Sequence, residues 1–147
     1  MMEILKMNQN HIDQIVEMEN LYFSDPWSAN AFHSEMNNPL ALWLVAVEGD
    51  RVLGYVGSQT VLGQADMMNL AVRHENRRQG VAQKLVERLV QELSNRNANI
   101  LMLEVRVSNA SAIAFYEKMG FVQVGRRPNY YFKPREDAFI MRKEWTI

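Results

Sequence analysis

The stretch from Asp66 to Asn95 constrains this chain more than any other part of it. Asp66 to Val72 is a mostly apolar run of strand length, and after it Val81, Leu85, Leu89 and Leu93 recur every four residues, flanked by Val86 and Val90. That period predicts an amphipathic helix from about Val81 to Asn95. Between strand and helix lies the turn Arg77-Arg78-Gln79-Gly80-Val81-Ala82. A glycine where a helix begins lets the backbone approach a ligand closely, and the unpaired N–H groups of the first turn favour an anion. Arg77 and Arg78 add positive charge. The turn reads either as a phosphate or pyrophosphate cradle or as a glycine-started helix with solvated arginines. It is not a Walker loop, because no Gly-Lys-Ser/Thr follows, and it lacks the Gly-x-Gly-x-x-Gly dinucleotide fingerprint.

The remaining elements emerge from the same periodicities. Glu3 to Met7 predicts a short strand; Asn10 then stands where it could cap a helix carrying Ile12, Ile15 and Val16 on one side. Asp25-Pro26-Trp27-Ser28 is a turn, with Ser28 as N-cap of a short helix through Met36. Leu42 to Glu48 and Val52 to Thr60 predict a hairpin turning at Gly49-Asp50, and a second break falls at Gly63-Gln64. Ile100 to Val105 reads as a buried strand and Ala110 to Met119 as a helix stopped by Gly120. Phe121 to Gly125 and Asp137 to Glu144 read as closing strands. Antiparallel hairpins followed by strand-helix-strand units predict a three-layer α/β or α+β domain spanning residues 1–147. No linker, repeat or low-complexity tract divides it.

Composition removes several function classes. There is no cysteine, hence no disulfide framework, Cys-ligated metal or Cys nucleophile. The formal net charge of -1 offers no overall footprint for nucleic acid. The longest apolar stretch, Leu40 to Val47, falls far short of the roughly 20 residues that cross a bilayer. The N-terminus has no apolar signal core, so a soluble, cytoplasmic protein is expected. His11, His33 and His74 lack ligand spacing, so no metal is expected. No Gly-x-Ser-x-Gly elbow is present either.

Two further segments carry candidate chemistry. Glu104 ends an apolar strand in Leu103-Glu104-Val105-Arg106-Val107-Ser108-Asn109, where Ser108 or Asn109 can cap the next helix. A carboxylate there is a candidate general base if its pKa rises from about 4.3 toward neutrality; it is equally a partner for Arg106 or another cation. Tyr116, in Ala114 to Phe121, lies near the helix stop. Its phenol is a candidate acid for a departing thiolate, and an aromatic at helical spacing is also ordinary core.

Together the three segments resemble the GNAT acetyltransferase superfamily. Arg77-x-x-Gly80-x-Ala82 looks like that superfamily's coenzyme A signature, Gln/Arg-x-x-Gly-x-Gly/Ala. More narrowly, Pro26-Trp27-Ser28, Asn69-Leu70-Ala71-Val72, Leu103 to Arg106, Ser108-Asn109-Ala110, Tyr116-Glu117 to Gly120-Phe121, Asn129-Tyr130-Tyr131 and Arg135 to Ala138 are similar to the bacterial ribosomal-protein-alanine N-acetyltransferases. The resemblance runs to the C-terminus. Ala82 replaces the commoner glycine, and Gln64 stands where many relatives carry an acidic residue.

This resemblance implies a GNAT fold, with one mixed sheet of about seven strands flanked by helices on both faces. It implies acetyl-CoA as cosubstrate, with the backbone of Leu70, Ala71 and Val72 pairing with the pantetheine arm. The N–H groups of Arg78, Gln79, Gly80, Val81, Ala82 and Gln83 would hold the pyrophosphate, and Asn109 would bind the coenzyme from the later helix. Glu104 would be general base and Tyr116 general acid. The acceptor would be the N-terminal alanine of a small-subunit ribosomal protein, attacked directly in a ternary complex. A monomer without nucleic-acid or membrane partners is expected. Arg126 to Arg135 resembles the family's peptide-side segment, and is alternatively an amphipathic hairpin. The competing readings are a related acetyltransferase of small amines or lysines, an RNA-binding module built on Arg126 to Arg135, and a coenzyme A-binding domain without catalysis.

Overall fold

The computed structural model describes all of residues 1–147. In chain order the elements are β1 (Glu3–Lys6), α1 (Ile12–Tyr22), α2 (Ala29–Met36), β2 (Ala41–Glu48), β3 (Arg51–Val61), β4 (Gln64–Val72), α3 (Val81–Asn95), β5 (Ile100–Arg106), α4 (Ala110–Lys118), β6 (Val122–Phe132) and β7 (Arg135–Glu144). The seven strands form one sheet in the order β1-β2-β3-β4-β5-β7-β6. Every neighbouring pair is antiparallel except β4 and β5.

The apolar pattern explains the layers. β2 reads as a nearly continuous apolar run because both of its faces are covered. Leu42, Leu44 and Ala46 pack with the Val81-Leu85-Leu89-Leu93 stripe of α3, while Trp43, Val45 and Val47 pack with Ile12, Ile15 and Phe32 of α1 and α2. The α3 stripe is buried along its whole length, and each such leucine contributes roughly 1.5–3 kcal/mol relative to exposure. Ser28 caps α2 as its sequence position predicts, accepting from the Ala31 N–H at 3.1 Å.

Three local expectations are corrected. Asn8, not Asn10, is the cap near the start of α1. Its side chain accepts from the Asn10 N–H at 2.8 Å, while His11 Nδ1 accepts from the Asn8 N–H, and the 3-10 turn Gln9–His11 precedes α1. The second break lies at Leu62-Gly63, both with positive φ, so Gln64 already belongs to β4. The last two strands are longer than their hydrophobicity suggests. β6 runs on through Arg126 to Phe132 and β7 begins at Arg135, so Arg126 to Arg135 is a hairpin, the alternative given for this segment, and only the strand bounds change. Polar contacts sustain it where apolar alternation does not: Asp137 accepts from Arg126 Nε and from the Asn129 N–H, each at 2.8 Å. Pro128 is tolerated because β6 is the sheet edge.

One feature of the sheet positions everything else. The parallel pairing of β4 with β5 covers only Gln64↔Ile100, Ala65↔Leu101 and Asp66↔Met102. Beyond it β4 continues to Val72 paired with β3 alone, and β5 continues to Arg106 paired with β7 alone. The two central strands splay apart, leaving an open backbone edge on β4 from Met67 onward.

Candidate active site

The splay forms a gap through the middle of the sheet, and the chain's unusual polar groups converge on it. Leu70, Ala71 and Val72 lie along its β4 wall, paired on the other side with Val56, Tyr55 and Gly54. An exposed strand edge offers N–H and C=O groups to any extended amide-bearing ligand.

Directly after β4, the chain turns into α3. Arg78 and Gly80 both have positive φ, 63° and 79°. A Cβ on Gly80 would meet nothing within 4 Å, so the turn leaves open space above the helix start. No side chain caps this end, and the first intrahelical acceptor, the Gly80 carbonyl, serves the Lys84 N–H. The N–H groups of Val81, Ala82 and Gln83 are therefore first-turn donors without an intrahelical partner. No acidic residue sits in that turn. Arg77 is partly committed to the scaffold, with Nε donating to the Val72 carbonyl at 3.2 Å and its guanidinium 4.9 Å over the Tyr22 ring. Arg78 remains the exposed cation beside the turn. This donor set fits a pyrophosphate next to a pantetheine arm laid along β4.

Glu104 and Tyr116 stand on opposite faces of the sheet. Leu103 and Val105 pack beneath α3 and α4, so the alternation of β5 turns Glu104 to the other face. There it is half-buried and accepts from the Tyr130 hydroxyl at 3.3 Å. Burial, together with the charge of Glu104, raises the Tyr130 pKa, so the phenol keeps its proton for that bond. Arg106 is not the partner of Glu104. Its guanidinium pairs with Glu136 at 3.1 Å and lies 4.2 Å over the Tyr131 ring, tying β5 to the hairpin. Glu104 makes no ion pair at all.

Tyr116 is buried in the core beneath α4, in edge contact with Phe115 and Phe121. Its hydroxyl lies 3.7 Å from the Met67 sulfur. Met67 is the first β4 residue past the last β4–β5 pair, so the hydroxyl sits at the apex of the gap. Burial raises the Tyr116 pKa above the ordinary phenol value. Asn109 caps α4, its Oδ1 accepting from the Ala112 N–H at 3.1 Å.

The sequence reading missed a buried carboxyl group. Glu19, on α1, has no exposed surface and accepts from the Trp27 N–H at 2.9 Å and from Asn69 Nδ2 at 3.1 and 2.9 Å. The Tyr55 hydroxyl donates to it as well, and burial, with the charge and hydrogen bond of Glu19 added, raises the Tyr55 pKa far above its usual value. A signal for it exists in the sequence: Ile12, Ile15 and Glu19 fall on one helical stripe, placing a charge where apolar residues belong. Glu35 is a second such case, accepting from Trp43 Nε1 at 3.0 Å. No group of three or more His, Asp or Glu side chains is arranged to hold a metal ion, and no helix is long and apolar enough to cross a membrane.

Residues 12–121 match the acetyltransferase (GNAT) family. The [ribosomal protein bS18]-alanine N-acetyltransferase of Escherichia coli (strain K12) is 40% identical over 118 residues, 79% of each chain. The enzyme of the same name from Haemophilus ducreyi is 36% identical over 138 residues, covering 90% of this chain and 93% of that one. Among solved structures, the Escherichia coli ribosomal-protein-S18-alanine N-acetyltransferase superposes with a TM-score of 0.90 at 34% identity, covering 100% of this chain and 96% of the other. With a seven-stranded mixed sheet splayed at its centre, an uncapped helix start beside it and sequence kinship over nearly its full length, the chain belongs to the GNAT acetyltransferase family and is an acetyl-CoA-dependent N-acetyltransferase.

Proposed function

We propose that the protein acetylates the α-amine of the N-terminal alanine of ribosomal protein bS18, with Glu104 as general base and Tyr116 as general acid. The observation that carries the reading is the arrangement of these two groups. Glu104 stands on the face of the sheet opposite α3, in contact with Tyr130 of the β6–β7 hairpin, and Tyr116 stands on the α3–α4 face with its hydroxyl at Met67, where the β4 edge opens. The two closely similar relatives with this acceptor in their names supply its identity.

Acetyl-CoA brings an activated acyl carbon to the gap, and the chain's own groups do the rest. The β4 edge at Leu70 to Val72 aligns the pantetheine arm, the N–H groups from Arg78 to Gln83 hold the pyrophosphate, and Asn109 binds the coenzyme from the start of α4. Glu104 takes a proton from the incoming ammonium. An α-ammonium has a pKa near 7.7–8.0 against about 10.4 for lysine, so neutralising it costs about 3–4 kcal/mol less at a given pH. The neutral amine then forms its bond to the acyl carbon while a backbone N–H of Leu70 to Val72 faces the developing oxyanion. Glu104 passes the proton it has taken to solvent, and the attacking nitrogen, left with one proton too many once bonded to carbon, gives that proton up by the same route; as the carbon–sulfur bond breaks, Tyr116 donates its proton toward the departing sulfur and regains one from solvent.

The raised pKa of Tyr116 has a definite sign. The phenol stays protonated through the neutral range, so its contribution is present at every working pH and adds no basic limb of its own. Tyr116→Phe is therefore expected to lower kcat about 10–100-fold, the worth of a hydrogen bond to a developing charge, by the same factor from pH 6 to 9. A loss that varies with pH across that window overturns the assignment.

The acceptor is tested with synthetic peptides and purified enzyme. A peptide beginning with free alanine in the bS18 sequence is expected to gain one acetyl group at its α-amine by mass spectrometry. Its N-blocked form, with lysines intact, is expected to gain none. Acetylation of the blocked peptide or of small amines alone replaces this acceptor.

A further inference from the structure

The buried Glu19 carboxyl is better matched to positioning the reaction than to holding the fold together. It has no exposed surface and no cation pairs with it. Burying a carboxyl group without a counter-charge is costly, and a well-packed apolar side chain usually serves stability as well or better. Every contact to it is a donor: the Trp27 N–H, both Asn69 Nδ2 contacts and the Tyr55 hydroxyl. The Trp27 N–H and the Asn69 amide can only donate, so the carboxyl oxygens are what hold these groups in place.

The three donors belong to three different parts of the site. Trp27 lies in the connection between α1 and α2, on the same side of the sheet as Glu104 and opposite to α3. Tyr55 is on β3, directly opposite Ala71. Asn69 is in β4, at an irregularity: the register passes from Val56↔Leu70 to Ser58↔Met67, so β4 carries one residue more than β3. The side-chain pattern shows the slip. Met67 and Leu70 pack toward α3 and α4, Met68 packs with the α1 and α2 cluster, and Asn69 also turns to that side to reach Glu19. Two consecutive residues thus share one face, which is the signature of a bulge, and a bulge re-aims the side chains next to it. The next residues along β4 are Leu70 to Val72, the backbone that lines the gap.

We propose that Glu19 is a positioning residue that clamps the β4 bulge, through Asn69, to the acceptor-side connection at Trp27, so that the donor strand and the acceptor wall keep one spacing. The inference rests on the acetyl-transfer reading above and on no particular acceptor. A displacement of about 1 Å at reacting atoms can lower rate by up to roughly 100-fold.

The test compares Glu19→Gln, Asn69→Ala, their combination, and the exchanged pair Glu19→Gln with Asn69→Asp, each with the wild type and well below its melting temperature. In the exchanged pair the new amide can donate to the new carboxylate, while its carbonyl still accepts from Trp27. Each single change is expected to lower kcat about tenfold or more with the KM for acetyl-CoA within about threefold. The combination is expected to lose no more than the worse single change, and the exchanged pair to recover most of the loss. Turnover of folded Glu19→Gln within twofold of wild type, multiplying losses in the combination, or no recovery in the exchanged pair each overturns the proposal. If Glu19→Gln does not fold, Asn69→Ala decides alone, since it leaves Tyr55 and Trp27 on Glu19: an unchanged kcat overturns the proposal and a tenfold loss supports it. Variant rates are read as ratios to wild type on whichever amine is acetylated; whether wild type acetylates the alanine peptide is a separate result bearing on the acceptor alone.

Discussion

Glu104→Gln is expected to lower kcat by about 100-fold or more at pH 7, within the range general-base catalysis usually contributes, without measurable loss of stability. The stability half comes from the surroundings. Glu104 is half-buried, makes no ion pair, and its one side-chain contact, from the Tyr130 hydroxyl at 3.3 Å, can be accepted equally by a glutamine carbonyl. The rate half comes from the proton. At pH 7 most α-amine acceptor is ammonium, since its pKa lies near 7.7–8.0, and glutamine cannot remove that proton. Raising the pH supplies neutral amine from solution, so the deficit is expected to shrink toward pH 9 and the variant's kcat/KM to climb with the amine's own titration. Full activity across the range would remove Glu104 from this role; a pH-independent deficit would make its role one of orientation.

How much of this was legible in the sequence depends on whether an element's partners lie along the chain or across it. α3 is readable because five residues of one helix bury against one sheet, and the period survives in the string. The turn before it was readable because Gly80 and the arginines are contiguous. The full length of the β6 and β7 strands was not. Val122 and Val124 are exposed on an edge strand, and no alternation marks Arg126 to Phe132. That strand is held by Asp137 of β7 and by the Arg106 guanidinium of β5 against the Tyr131 ring, partners that only the fold brings together. The splay between β4 and β5 was invisible for the same reason, since it is a property of pairing rather than of either strand. Glu104 could be singled out from its place at the end of an apolar strand, but its contact with Tyr130 rather than Arg106 depends on the neighbouring hairpin. Glu19 left only the trace of a charge on an apolar stripe.

Gly57→Ala is expected to be the most destabilising single methyl group that can be added near the site. In the register of β2 with β3, Gly57 faces Trp43. A Cβ there would lie 2.3 Å from three atoms of the indole ring, so the ring itself must move. It has little room. Trp27 and Phe32 lie with ring centroids 5.3 and 5.1 Å away, and Nε1 is held by Glu35 at 3.0 Å. Glu35 in turn accepts from Gln59 at 2.9 and 3.0 Å, so shifting the indole disturbs a buried carboxyl as well as an aromatic cluster. Overpacking of this kind costs typically about 1–3 kcal/mol, occasionally more, and the upper end applies where no neighbour can yield. For a chain of this size that corresponds to a fall in melting temperature of roughly 6–12 °C. If the clash with the indole is the cause, adding the same change in a Trp43→Leu background is expected to cost less than half as much, since the ring is gone. An equal cost in both backgrounds would locate the strain in the backbone of β3 instead. Gly57 also lies between the two register pairs that bracket the β4 bulge, Val56↔Leu70 and Ser58↔Met67. The protein that remains folded is therefore expected to show a lower kcat too: the glycine that admits Trp43 to the sheet also sits opposite the irregularity that aims Leu70 to Val72 into the gap.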